Sequence, residues 1–338
     1  MPVFKRSSHK MDAQGRTTLI CFNREIGGFA LHLTKISPSI LEKCRGIIMS
    51  LQTHDRLLWP KGKRKAFTLS YDDGVTQDIR FIEMLNKYKL KGTFNLNSGL
   101  LGQPGVITIG RKPVTHNKVC PEDVKSIYAG HEVASHGLYH ATICDSDPAR
   151  CLNEILACRK ELERLEGYPI TGYAYAFGAY DNTVLQALRI CGITYARTIK
   201  PTYAFTLPEN FLIWNPTCHH DDEMLPELIE KFLNDTSPFP MLKLFYVWGH
   251  CYEFDQNDNW DVMEHFLKKI AGYEDIWYAT NTEIERYVSA YRKLVFSVDG
   301  SVVYNPTCTA VWLGAIGSDC VTEVGPGCVT ELPDPAIL

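Results

Sequence analysis

No apolar stretch of this sequence approaches the roughly 18–20 residues that a membrane-spanning helix requires. Strong charge of one sign is also missing: 35 Lys and Arg stand against 39 Asp and Glu, for a formal net charge of -4. That balance gives no footprint for nucleic acid or an anionic membrane, so neither is expected as a partner. No C-x-x-C pair occurs among the 12 cysteines, which removes the paired spacing of a zinc ribbon. There is no internal repeat and no low-complexity segment. Near the N-terminus, Lys5, Arg6 and Lys10 precede an apolar stretch (17–22) too short for a signal-peptide core, followed by Asn23, Arg24 and Glu25. The expectation is a chain that is not secreted, a cytoplasmic location and free thiols. Cys151 and Cys158 share a helical stripe with Leu152, Ile155, Leu162 and Leu165 and are expected in the core.

What is present is an ordinary globular composition, 45% hydrophobic and 22% charged over 338 residues, enough for a full core. From Ala66 to about Leu294, short apolar runs alternate with helical patterns. Strands are expected at 66–71, 92–97, 131–135, 172–176, 193–198, 211–214, 242–248 and 275–279. Helices are expected at about 76–90, 121–129, 148–166, 181–191, 222–234, 258–271 and 281–293. Asp147 before Pro148 is a helix start, with the cap and the proline in their favoured places; Asp181 and Asn281 open helices less clearly. Such alternation means a mostly parallel sheet. The fold class is α/β, a distorted (β/α) barrel of seven or eight units with a small C-terminal β appendage, in which Asp299-Gly300 signals a hairpin. The implied division is an N-terminal extension (1–60), a barrel (61–294) and the appendage (295–338). Residues 1–48 lack sustained periodicity, and Met49 is a candidate natural start.

In a barrel of this kind, active residues sit at the C-terminal ends of strands. Asp72 and Asp73 follow the first strand, His136 the third, Phe177 the fourth, and His250 ends the run before it. Adjacent side chains at a strand end point apart, so one carboxylate can bind a metal while the other moves a proton. His136 and His140 have the spacing of one helical turn and can grip one ion. A lone imidazole, His250, completes the kit for metal-assisted hydrolysis. His131 opens its strand and reads as structural. Cys218-His219-His220-Asp221-Asp222 looks like a metal cluster, but neighbouring side chains diverge in an extended segment. A helix start capped by Asp221 or Asp222 is preferred there, with His220 as a substrate contact in reserve. Trp248, Tyr252 and Trp260 flank His250 and suit sugar-ring stacking as well as core packing.

With these residues assembled, roughly residues 60–290 resemble the polysaccharide deacetylases, carbohydrate esterase family 4, the NodB-type homology domain. Ser70-Tyr71-Asp72-Asp73-Gly74 is similar to the family's first motif, usually Thr-Phe-Asp-Asp-Gly. Ser135-His136-Gly137-Leu138-Tyr139-His140 is similar to the second, and Trp248-Gly249-His250 to the last. The resemblance implies Asp72 as catalytic base, Asp73, His136 and His140 as ligands of one divalent metal with zinc the expected ion, and His250 as catalytic acid. The third motif departs: Ala174-Tyr175-Ala176-Phe177-Gly178 stands where the family has Arg-x-Pro-Tyr-Gly. Ala174 replaces the arginine that steadies the base, and Arg197 on the next strand is the candidate replacement. The Phe177 N–H remains available to an oxyanion, and Trp248 joins Phe177 and Arg197 as a substrate-side residue. No fourth motif orienting His250 is evident. The resemblance thus implies a divergent, metal-dependent hydrolase removing N-acetyl groups from an amino-sugar substrate. The alternatives are hydrolysis of another non-peptide C–N bond, a ring amide or N-formyl group, and an inactive carbohydrate-binding protein.

Overall fold

A computed structural model describes residues 8–11, 17–20, 56–108, 110, 112–235, 242–314 and 320–333. Met49 and most of the 1–48 segment lie outside the described residues. Within that segment the backbone pairs Ser8–Met11 with Thr17–Ile20, antiparallel.

Eight parallel strands form the central curled sheet. They are β1 (Lys65–Asp72), β2 (Thr93–Leu96), β3 (Glu132–Ser135), β4 (Gly172–Ala174), β5 (Tyr195–Arg197), β6 (Cys218–His219), β7 (Lys243–His250) and β8 (Ile276–Tyr278). Their order is β5-β4-β3-β2-β1-β7-β6, with β8 paired to the first half of β1. Trp214 extends the β5 end of this path by one residue, beside Arg197. Its N–H donates to Ala196 O at 2.9 Å and its carbonyl accepts from Thr198 N at 3.0 Å.

The two longest strands are central, and both are buried almost throughout. Strands covered on both faces read as continuous apolar runs, and Phe67, Leu69, Tyr71, Phe245 and Val247 fill one shared core. Around the sheet pack α1 (Asp78–Lys87), α2 (Val124–Ile127), α3 (Pro148–Glu166), α4 (Asn182–Ile190), α5 (Leu225–Leu233), α6 (Tyr252–Asn257), α7 (Trp260–Ile270) and α8 (Asn281–Tyr291). α3 covers the expected residues, Asp147 capping it through Ala149 N. Cys151 and Cys158 are fully buried on its inner face. α8 is capped by Thr280, one residue before the expected opening, in a reciprocal capping box with Glu283.

One expected strand is wrong. Residues 211–214 do not form the sixth strand; Phe211–Ile213 is a 3-10 turn whose cap, Asn210, accepts from Leu212 N. A four-residue apolar run carries no period that separates strand from buried turn. The sixth strand is Cys218–His219, and α6 was not expected at all.

The C-terminal strands are packed on the barrel. Val295–Phe296, Val302–Tyr304 and Val329–Glu331 make one small antiparallel sheet, turned at Asp299-Gly300. Val311–Gly314 pairs with Val321–Val324 on one edge and Arg56–Leu58 on the other. Val303, Val311, Leu313, Val324 and Leu332 share a core with Trp59, Tyr246 and Tyr287. The Tyr287 hydroxyl ties the layers together, donating to Leu58 O at 2.5 Å and accepting from Trp312 N at 3.0 Å.

Candidate active site

Strand register sets the site. β1 and β7 run in step from Lys65↔Lys243 to Asp72↔His250, so the first aspartate and the last histidine finish side by side. Asp72 also lies opposite Asn95 of β2, whose Nδ2 donates to Asp72 Oδ1 at 2.8 Å. On the far side of the sheet Arg197 is the register partner of Ala174. The methyl side chain at 174 leaves room, and the guanidinium of Arg197 reaches Asp72 Oδ2 through Nη2. Arg197 is fully buried and lies 4.4 Å over the Trp248 ring, a cation–π contact. Burial opposes a charge on Asp72, but the Arg197 guanidinium, with His136 and His250 beside it, holds the carboxyl below its ordinary range.

Asp73 turns the other way. Its φ of 85° and the 62° of Gly74 put two successive residues in the left-handed region, where a non-glycine residue is uncommon. That turn aims Asp73 Oδ1 toward His136 Nε2 at 3.9 Å and His140 Nε2 at 3.8 Å. Two residues that the sequence reading missed hold it. His116 Nε2 donates to Asp73 Oδ2 at 3.0 Å, and Lys118 Nζ donates to the Asp73 carbonyl at 2.8 Å, standing 3.6 Å from Oδ1. Burial acts against charge on Asp73, yet these partners keep its carboxyl well below the usual carboxylate range. Both come from a loop without a motif, so no spacing signal marks them.

His136 and His140 are not on a helix, as their spacing suggested. Gly137 at φ 78° and His140 at φ 56° turn the backbone tightly after β3. The two rings meet edge to face at 4.7 Å. His136 Nδ1 donates to Ala174 O at 2.9 Å, so its proton is on Nδ1 and the Nε2 lone pair points at the aspartates. Burial lowers the pKa of His136, and it lowers that of His140 to about 4, so both rings are neutral.

His250 is held by Glu253, one turn later. Glu253 Oε2 accepts from the His250 backbone N–H at 3.0 Å and lies 3.2 Å from His250 Nδ1. His250 Nε2 faces Asp72 Oδ2 at 3.9 Å. Burial would lower the imidazole's pKa, but the Glu253 carboxylate and the two aspartates lift it to about 9. If His250 serves as a catalytic acid, activity is expected to fall as pH rises through this value. Glu253→Gln is expected to move the alkaline limb of the pH–rate profile toward neutrality by about one unit or more. An unmoved limb in the metal-loaded variant would remove Glu253 as the partner of His250. Glu253 does for His250 what the unidentified fourth motif was expected to do. Its only sequence signal is an acid three residues after a candidate histidine.

Contrary to expectation, the neighbouring His219 and His220 converge: their donor atoms and that of Glu253 lie within 4.8 Å of one another. His219 Nδ1 accepts from Asp221 N at 3.1 Å. The ring proton is therefore on Nε2, which stands 3.2 Å from Glu253 Oε2 and in this tautomer has no lone pair for a cation. His220 lies between the rings of Tyr71 and Phe254, 5.6 and 4.5 Å away, and burial keeps it neutral. The space beside it needs Gly249, because a Cβ there would sit 1.9 Å from His220 Nδ1. Gly249→Ala is expected to destabilise the protein by about 1–3 kcal/mol, read by denaturant unfolding. Asp222 caps a turn through Met224 N and does not cap α5 itself. His131 is structural, its Nδ1 accepting from Gly92 N.

Asp72, Asp73, His116, His136, His140 and His250 line a cavity of about 560 Å³ with Phe177, Trp248 and Tyr252 in its wall. Phe177 has φ 57°, strained for a bulky residue, and its ring packs 4.6 Å from that of His140. Trp248 is buried beneath Arg197, presenting part of its ring to the cavity. Trp260, by contrast, packs into the core against Phe254 and is not at the site.

The model of the polysaccharide deacetylase family matches residues 60–196. No curated protein matches the chain. A Mycobacterium smegmatis protein provisionally named a polysaccharide deacetylase shares the fold, at TM-score 0.51 and 17% identity over 70% of this chain and 94% of the other. Weaker likenesses are to the Streptococcus pyogenes deacetylase PplD (TM-score 0.44, 18% identity, 60% and 94% covered) and to the CE4 domain of a xylanase from the hindgut metagenome of Trinervitermes trinervoides (0.42, 16%, 67% and 92%). Among the described residues no helix is long and apolar enough to cross a membrane. The family-model match begins just before β1 and ends within β5, and the curled parallel sheet with the C-terminal strands in separate sheets is similar to the fold of a polysaccharide deacetylase.

Proposed function

We propose that the chain is a metal-dependent hydrolase that removes the N-acetyl group from an amino sugar, with residues 61–294 as its catalytic unit. The observation that carries this reading is His136. Its buried Nε2 has no hydrogen-bond partner, and its lone pair faces carboxylate oxygens of Asp72 at 3.6 Å and Asp73 at 3.9 Å. Lone pairs converging in a buried space repel unless a cation lies among them. Asp73, His136 and His140 offer an anionic oxygen and two neutral imidazoles, a donor set that suits zinc. A divalent ion held there would supply Lewis-acid polarisation of the amide and lower the pKa of water.

The remaining work belongs to the chain. Asp72, ionised and steadied by Arg197 and Asn95, accepts the proton of the attacking water. His250, kept protonated by Glu253, gives a proton to the leaving amine. The Phe177 N–H is offered to the oxyanion, a role that a backbone donor fills whatever its side chain. Phe177, Trp248 and Tyr252 supply the aromatic wall that a sugar ring can stack on.

The test is metal content of the purified protein beside acetate release from N-acetylglucosamine oligomers. About one zinc-like ion per chain with acetate release is expected. Bound metal without acetate release from any of these sugars would overturn the substrate assignment, and no metal at all would overturn the site.

A further inference from the structure

The connection between β2 and β3 builds a wall beside the site. Residues 98–108 and 112–118 form a strap that includes a two-stranded ribbon, Val106–Ile107 with Val114–Thr115. It is bonded to three neighbours. At the β3 turn, Gly99 N donates to Leu138 O at 2.9 Å. Along the β1 turn, Asn117 O accepts from Thr76 N at 2.8 Å, and Lys118 Nζ reaches the Asp73 carbonyl. On the β7 side, Gln77 Nε2 donates to both Thr115 O at 2.8 Å and Asp255 Oδ2 at 3.0 Å, while the His116 ring meets the Tyr252 ring at 5.0 Å. The strap therefore runs past the end of β1 from the β3 turn to α6, and it places Leu100, Ile107 and His116 in the cavity wall. On the other side, the wall is Phe177 and Ile199, which are 65% and 40% exposed.

An interior unit of a polymer needs two exits, one on each side of the reacting bond. Here one flank is occupied by a bonded segment that also carries His116 to Asp73, so it cannot leave without disturbing that carboxylate. The cavity's 560 Å³ lies within the range of about 300–1,000 Å³ that encloses a small ligand. We infer that the site takes a short N-acetylated amino sugar or the terminal unit of a longer chain of them, entering from the Phe177 and Ile199 side, and does not take an interior unit. This rests on the amide-hydrolase reading above.

The probes are the dimer and hexamer of N-acetylglucosamine. Binding is measured by calorimetry on the metal-loaded Asp72→Asn protein, and the positions deacetylated by the unaltered protein are mapped by mass spectrometry. Dissociation constants within about twofold of each other, and acetate lost only from a terminal unit, are expected. Hexamer binding about tenfold tighter than dimer binding, or deacetylation of interior units, would overturn the inference while leaving the hydrolase reading in place. No binding of and no acetate from either sugar would overturn both. A second variant tests the cause. Because His116 N donates to Gly105 O at 2.7 Å, residues 106–115 can be replaced by a two-residue turn that keeps His116. That protein is expected to gain interior deacetylation of the hexamer. Full activity on terminal units with no gain on interior ones would overturn the strap as the barrier.

Discussion

Arg197→Met is expected to cost the protein most of its activity and several kcal/mol of stability. Arg197 and Asp72 are buried together, and the guanidinium is the cation that reaches the carboxylate directly. Removing one partner of such a pair leaves an uncompensated buried charge and costs about 3–5 kcal/mol. It also changes the proton affinity of Asp72. Burial pushes this carboxyl up, and Arg197, His136 and His250 together pull it below its ordinary value, Arg197 being the strongest of the three. Without the arginine, the strongest pull is lost and the pKa rises. A base works only when ionised, so the acid limb of kcat/KM is expected to move to higher pH, and turnover near neutrality to fall by about 10²-fold or more. The stability difference has a defined pH window. A lowered folded pKa contributes stability that is present above the ordinary value of 3.8 and is lost as pH falls through the folded value. The gap between the two proteins should therefore close in acid. Arg197→Lys is expected to recover little, since a compact ammonium cannot both stack on Trp248 and reach Asp72. Unfolding curves from pH 3 to 8, beside the pH–rate profile, check this; an unmoved acid limb would exclude Arg197 as the partner of the base.

Exchanging the adjacent carboxylates for amides one at a time is expected to give opposite signatures. Asp72→Asn should keep its metal and lose about 10²–10⁴-fold in kcat, the range for removal of a positioned acid or base. Its hydrogen bond from Asn95 and its neighbour Arg197 do not involve His140, so the three donors of the metal site stay in place. Asp73→Asn should instead lose metal. The neutral amide removes the anionic donor and leaves Lys118 beside the site without its counter-charge. Metal affinity should fall by more than the roughly 10–100-fold that loss of an outer partner costs, measured by metal analysis after dialysis. Equal metal loss in both variants would mean that the carboxylates share one role.

Much of this was legible in the sequence, for identifiable reasons. β1 and β7 are buried on both faces, so they read as unbroken apolar runs, and the residues ending them are the ones that the barrel presents at its mouth. α3 announced its first residue because an N-cap and a proline satisfy local chemistry that needs no tertiary partner. The run at 211–214 misled because burial, and not backbone shape, is what four apolar residues report. The convergence of His219 and His220 was missed because divergence holds only while a segment stays extended, and β6 ends at His219.

The local pattern alone determined the alternating units, the helix starts and the residue types gathered at the strand ends, since each depends on neighbours within a few positions. Only the tertiary structure decided which groups face one another. Arg197 meets Asp72 because strand register sets it across from a small Ala174, and Glu253 meets His250 because the chain turns into α6 at the end of β7. His116 meets Asp73 because a strap fixed by contacts on three elements carries it there. Those pairings join residues 43 and 125 positions apart in two of the three cases, and no local periodicity encodes a contact made by register and by the packing of a distant loop.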